Sequence, residues 1–454
     1  MSGDMVAFGL LEGNTLFGAS ALVAGVAATL VIHLGTWNTN QESAGPQNIH
    51  VGHTPRLGGV AIFAGYVIAL AIALHWALVP RLPALPLLLA AIPICVVGLW
   101  EDVAHRVSPA HRLLAAVFSA GLAGLFADGV IPRLDLAPID RWIAYLPIAL
   151  PLTLFMVAGA CNAFNIIDGS HGLAAGTAVL LFLGIGIVAR NAGDSMVFAQ
   201  AVGMTGALAG FLLWNYPRGK IFLGDAGAYF VGFMYAQLSI QLVARNPGVS
   251  AWFVIALAAY PIVEMLYSIY RRRFLHRTAA MQPDMLHLHS LIYVCVLSFA
   301  QRERPGDRRQ AIWAAAYPDG ERRRSILGAN ARVAPLLWLH GGVCFVYALH
   351  FHTMTGALIG FTFLYAIAYV ACYRNAVRVR ERSSARRMTC KSSPASEIAT
   401  PEQHLSESDR VSTDVPQPME PVHAVESVQS PELPRAMDPL PLVELPTAQT
   451  GARL

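Results

Sequence analysis

Charge is scarce in this chain of 454 residues: Asp, Glu, Lys and Arg together make up 13% of it. Soluble domains carry about twice that share, so an ordinary water-exposed fold is excluded. Cysteine is sparse too. Cys95, Cys161, Cys295, Cys344, Cys372 and Cys390 are scattered and form no C-x-x-C pair. That spacing speaks against a zinc or disulfide framework and for small buried hydrophobes or free thiols. Met1 to Asn14 holds Asp4 and Glu12 and no basic stretch, so no cleaved signal peptide is expected. No internal repeat is detected, which weighs against a transporter or flippase built from inverted halves.

What the chain does contain is apolar: 55% of its residues are hydrophobic, with a mean hydropathy of +0.49. A helix needs roughly 20 apolar residues to cross about 30 Å of hydrocarbon. Spans are accordingly expected near 15–34, 57–78, 84–100, 112–130, 142–161, 172–189, 195–214, 226–244, 251–270, 333–350 and 353–373. The expected fold is all-α, a polytopic membrane protein of about eleven transmembrane helices. Residues 1–14 would be a short periplasmic segment, 15–373 the membrane domain, and 374–454 a tail that is first basic and then, from Ser392, rich in Ser, Pro and Glu and expected to be disordered.

Orientation follows from the basic residues of the short loops. Arg56, Arg106, Arg112, Arg218, Lys220 and a loop of about 60 residues holding Arg271, Arg272, Arg273 and Arg277 fall on one side. The other side has only Arg81, Arg133, Arg141, Arg190 and Arg245. The first side is read as cytoplasmic, with the N-terminus outside and the tail inside. The net charge of +4 is thereby explained by topology, and no nucleic-acid partner is expected.

Five polar segments fall on that cytoplasmic side: 50–59, Glu101-Asp102, Asn162 to His171, Asn215 to Gly227, and Asp284 to His289. Hydrocarbon supplies no hydrogen-bond partners, so polar groups gathered at helix ends meet water or a protein-lined cavity. In I-F-L-G-D-A-G-A, Asp225 stands between glycines just before an apolar helix, where backbone N–H groups face an anion and the carboxylate can hold a hard cation. Alone, such an Asp is more readily a turn or N-cap and Glu101-Asp102 a solvated helix end, and Asn162 and Asn165 could be a C-cap and a turn. Together with Asp168 they offer oxygen ligands suited to Mg²⁺ beside substrate phosphates. Glu264, one turn after Pro261 inside the ninth span, needs a partner or a cavity.

Five of the sequence's segments carry a family resemblance. H-T-P-R-L-G-G (53–59), G-L-W-E-D with H-R-L-L (98–102, 111–114), N-A-F-N-I-I-D-G-S-H-G-L (162–173), N-Y-P-R-G-K-I-F-L-G-D-A-G (215–227) and P-D-M-L-H-L-H (283–289) resemble, in order, the motifs of the polyprenyl-phosphate N-acetylhexosamine-1-phosphate transferases. That membrane family also contains the phospho-MurNAc-pentapeptide translocases. T-P-R-L-G-G and P-D-M-L-H-L-H are more similar to the N-acetylglucosamine branch. The resemblance implies transfer of N-acetylhexosamine-1-phosphate from a UDP-N-acetylhexosamine to undecaprenyl phosphate, with release of UMP, at the cytoplasmic face of a bacterial inner membrane. It implies Glu101, Asp102 and Asp168 as catalytic carboxylates, Asp225 and Asn165 as holders of Mg²⁺ or Mn²⁺, and Arg56, Arg112, Asn162, His171, Asn215, Phe222, His287 and His289 as substrate contacts. Membrane lipid surrounds such a protein, and a homodimer is compatible with it. Four positions depart from the family's pattern: Glu101 replaces an Asp, His171 a second Asp, Ser290 a His and His53 a Pro. Arg112 stands in the place of a lysine.

Overall fold

The computed structural model of the chain describes residues 2–35, 54–275, 286–302 and 318–391. The tail from Ser392, His53 and the Pro283–Met285 part of the last motif lie outside the described residues. Among those described the chain is helical and has no strand: α1 (Ser2–Gly35), α2 (Gly58–His75), α3 (Arg81–Ala104), α4 (Pro109–Phe126), α5 (Ala137–Ile143), α6 (Leu146–Ile167), α7 (Leu173–Asn191), α8 (Ser195–Asn215), α9 (Gly224–Arg245), α10 (Ala251–Leu257), α11 (Ala259–Tyr270), α12 (Leu288–Arg302), α13 (Pro318–His350) and α14 (Thr355–Lys391). Ten of the described helices are long and apolar enough to cross a membrane, and α10 with α11 makes an eleventh if that bent pair is one span.

The bend has a local cause. Pro261 has no N–H, and its ring crowds the carbonyl four residues earlier, which favours a break here, although α3, α6 and α13 run on through Pro86 and Pro93, Pro151 and Pro335. The chain breaks at Ala258 and turns by 74°, then ends in a π-helical turn, Arg271–Leu275.

Three expectations are revised. The fifth span reaches Ile167, so Asn162 and Asn165 ride on the last turns of α6 and not in a loop. The long loop before the tenth span contains α12, whose apolar face packs on α13 and α14. The last helix runs on through the basic stretch to Lys391.

α9 is the axis of the bundle. It is almost wholly buried and touches α2, α3, α4, α6, α7 and α8. Helices in lipid gain from close backbone approach at small residues, and α9 supplies them: Ala226 lies against Gly98 of α3, Gly227 against Gly59 of α2, and Gly232 against Cys161 of α6. At one end of α9 the motif segments collect. At its other end, polar groups tie loops together. Asp194 caps α8 through the Val197 N–H at 3.1 Å and accepts from Arg245 Nε at 2.8 Å. Arg133 donates to the Val243 and Val249 carbonyls, each at 2.7 Å.

Candidate active site

The first turn of α9 is built around Gly224, whose φ of +74° favours glycine. A Cβ there would strike the Arg56 carbonyl and the Asp102 carboxylate. That clearance lets Asp102, in the last turn of α3, reach the exposed N–H groups of α9. Its Oδ1 accepts from Asp225 N at 2.8 Å and its Oδ2 from Ala226 N at 2.9 Å. A carboxylate placed at a helix N-terminus satisfies orphan donors and the positive end of the dipole. Asp102 therefore caps a neighbouring helix, whereas Glu101 Oε2 accepts from Val107 N at 2.7 Å, closing the loop to α4, with its charge still felt by Arg112. The adjacent acids, indistinguishable in the sequence, are separated by the fold.

Asp225 sits at the centre. Arg112 forms an ion pair with its Oδ2, Asn165 Nδ2 donates to its Oδ1 at 3.0 Å, and Arg56 Nη2 lies 3.7 Å from it. Arg56 Nε is also 3.8 Å from Asp102. Arg56 is held there because its segment docks on the strand-like approach to α9. Phe222 N donates to the Pro55 carbonyl at 2.9 Å, Gly58 N to the Phe222 carbonyl at 2.9 Å, and Gly59 N to the Leu223 carbonyl at 3.0 Å. Asp168, at the end of α6, shares this space. Burial pushes its carboxyl up to about 7, the charge of Asp225 raises it further, and Arg56 and the Gly224 N–H oppose the shift. Asn162 stands one turn before Asn165 on α6.

Next to the carboxylates lies a pair of rings. His171 is stacked on Phe222 with ring centroids 5.8 Å apart, and its Nδ1 is 3.2 Å from the Pro217 carbonyl. Burial lowers the His171 pKa, and the Pro217 carbonyl acts against that shift. Asn215 uses both ends of its amide on backbone: Oδ1 accepts from Gly172 N and Nδ2 donates to the Ile221 carbonyl, both at 2.7 Å. It clamps the α6–α7 turn to the α8–α9 loop. Asn330, whose Oδ1 accepts from His171 N at 2.9 Å, comes from α13. So does Trp338, packed on Tyr216 with centroids 5.0 Å apart. Nothing in the sequence marks these two: Asn330 falls in the basic stretch before the expected span at 333–350, and a single Trp within an apolar span looks like any interfacial side chain.

The His287 and His289 rings lie flat on one another, 5.5 Å apart and inclined by 2°. His289 reaches Gly169, where an added Cβ would collide with its Nε2, and so joins the last motif to the Asp168 turn. The expected site residues thus gather at one end of the bundle, with Glu101 bonded to the loop before α4, Asn215 engaged in holding loops and both His287 ring nitrogens facing protein partners.

Among the described residues no group of three or more His, Cys, Asp and Glu side chains is arranged as a metal cage. The donor set nevertheless suits a hard cation held through substrate. Asp225, the neighbouring Asp168 and the Asn165 amide are oxygen donors, and Mg²⁺ takes one or two carboxylates together with phosphate oxygens and waters. Arg112 and Arg56 supply positive charge at Asp225 in this arrangement.

Comparison with known proteins bears on this geometry. The model of the family described as glycosyl transferase family 4 matches residues 84–243, the stretch from α3 to α9. A probable undecaprenyl-phosphate N-acetylglucosaminyl 1-phosphate transferase of Bacillus subtilis is 30% identical over 259 residues, covering 56% of this chain and 69% of the relative. A decaprenyl-phosphate N-acetylglucosaminephosphotransferase of Mycobacterium leprae is 29% identical over 336 residues, 64% of this chain and 82% of the relative. An undecaprenyl-phosphate alpha-N-acetylglucosaminyl 1-phosphate transferase of Escherichia coli is 27% identical, and the match spans 66% of its length.

Proposed function

Because the chain belongs to glycosyl transferase family 4, we propose that it is a multi-pass membrane phosphotransferase that moves GlcNAc-1-phosphate from UDP-GlcNAc to undecaprenyl phosphate. An oxygen of the lipid phosphate attacks the β-phosphorus of the donor, the bond from that phosphorus to the bridging oxygen breaks, and UMP departs. The product is a lipid diphosphate sugar, which fits the first step of a cell-envelope glycan such as O-antigen. The site faces the cytoplasm in this reading, and the inner membrane holds the protein.

The observation that carries the reading is the meeting of Asp225, Asp168, Asp102, Arg56 and Arg112 at the N-terminus of one central helix. Both reactants are anions, so the barrier is largely charge repulsion, and fixed cations and helix N–H groups lower it. Arg56 and Arg112 would bind phosphate oxygens. Phe222 would stack on the uracil, with His171 behind it. Asp168, held near 7, is matched to a phosphate monoester whose second pKa is near 6, and would take or position the nucleophile's proton. Asp225 with Asn165 would hold Mg²⁺ or Mn²⁺, which when bound neutralises charge on the diphosphate.

The test is transfer of radiolabel from UDP-GlcNAc into organic-extractable lipid by purified protein with short polyprenyl phosphates, run beside a panel of other UDP-sugars. Labelled lipid with equimolar UMP supports the proposal. Transfer only from UDP-MurNAc-pentapeptide would make the chain a peptidoglycan-precursor translocase, and vesicle uptake without UMP release would make it a transporter. Asp225→Asn is expected to reduce transfer at least about a hundredfold while the protein still folds in the membrane. Unchanged turnover at low Mg²⁺ would reject the metal role.

A further inference from the structure

A carboxylate inside an apolar bundle persists only where donors meet it. Glu264, on α11 just past the bend, is fully buried. Its Oε1 faces His287 Nδ1 at 3.0 Å and the Leu288 N–H at 3.3 Å, and its Oε2 accepts from the Tyr369 hydroxyl at 2.6 Å. One acid thus joins the bent span, the start of α12 and α14.

The other side of the imidazole decides what this contact does. Arg272 Nη2 lies 3.0 Å from His287 Nε2. A guanidinium can only donate, so Nε2 accepts and the ring proton belongs on Nδ1, where Glu264 accepts it. Both ring nitrogens are then committed within the protein. His287 is a coupling between a buried acid and a buried guanidinium, and its flat face carries His289, which reaches Gly169 beside Asp168.

We propose that Glu264 is a positioning residue for the transfer reaction: by holding His287 in its Nδ1–H tautomer, it orients Arg272 and His289 toward the donor's phosphate and sugar. Three substitutions separate this role from simple packing. Removing Tyr369's hydroxyl takes away one donor to Glu264 but leaves the His287 contact. Replacing Glu264 by Gln keeps an oxygen acceptor for Nδ1–H and removes the charge. Replacing it by Leu removes the acceptor altogether.

The inference rests on the transferase reading for its kinetic arm and on geometry alone for its spectroscopic arm, so the two can fail separately. In the kinetic arm, Glu264→Leu is expected to raise KM for UDP-GlcNAc and lower kcat, each by about tenfold or more, as loss of an orienting partner does. Glu264→Gln should recover most of that loss, and Tyr369→Phe should stay within about twofold of the parent. In the spectroscopic arm, nitrogen NMR of histidine-labelled protein, with His287 assigned by its loss in His287→Asn, should show a protonated Nδ1 and a bare Nε2. That signature should persist in Glu264→Gln and be lost in Glu264→Leu. An Nε2–H tautomer in the parent protein, an unchanged His287 signal in Glu264→Leu, or Tyr369→Phe as impaired as Glu264→Leu would each overturn the proposal. If the parent transfers no sugar phosphate at all, the transferase reading falls and the tautomer still decides the positioning.

Discussion

Asp102 shows how one residue's environment settles its task. Its two oxygens are both spent on the backbone of α9, so its removal leaves two buried N–H groups unsatisfied beside a carboxylate. Asp102→Ala is expected to cost about 1–3 kcal/mol of stability and most of the activity, because α9 carries Asp225. Glu101→Ala, which frees only one loop N–H, should cost clearly less of both. Thermal unfolding in detergent beside transfer assays compares them, and equal losses would contradict the assignment. His171 makes a prediction in pH. Its depressed pKa means that folding favours the neutral ring, so the unfolded chain binds more protons once pH drops below the ordinary histidine value. The stability it contributes is present above about 6.5 and is lost as pH falls through the folded value. His171→Gln should therefore lose less melting temperature than the parent between about pH 7.5 and pH 5.5.

At the scale of elements, the decisive feature is that α9 can be approached from several sides. Gly98 lies one turn before Asp102, and its missing side chain lets α3 press on the Ala226 backbone. Gly98→Val should force α3 off α9, lengthen both Asp102 bonds, and destabilise the protein by about 1–3 kcal/mol as overpacking does. Loss of activity with an unchanged melting temperature would show that the contact is not tight. The break before Pro261 is the second such feature. Just past it, Glu264 meets His287 and the Leu288 N–H at the start of α12.

Among the described residues, the polar groups gathered at the two ends of α9 have different tasks, and the motif end is the candidate for chemistry. At the other, Arg133 spans the end of α9 and the turn that leads to α10, while Asp135 accepts from Ala251 N at 2.6 Å. These bonds staple loops. Arg133→Ala is expected to lower the melting temperature by several degrees with KM for the sugar donor unchanged. A raised KM with no loss of stability would give this end a part in binding.

Much of this was written in the order of residues. Apolar run length set the helical spans, since hydrocarbon leaves the backbone no other partner than itself, and the alternation of those spans already brought Arg56, Asp168 and Asp225 to one end. The motifs told which chemistry to expect there. What no reading along the chain could settle is which atom each polar group spends on its neighbours. Adjacent Glu101 and Asp102 differ in their partners, the one meeting the loop before α4 and the other the α9 N–H groups that Gly224 leaves accessible. Asn215 became a clamp and Glu264 a support for His287 through contacts between residues far apart in the chain. Hydrogen bonds and close packing act over a few ångströms in space, so only the packed helices fix those partners.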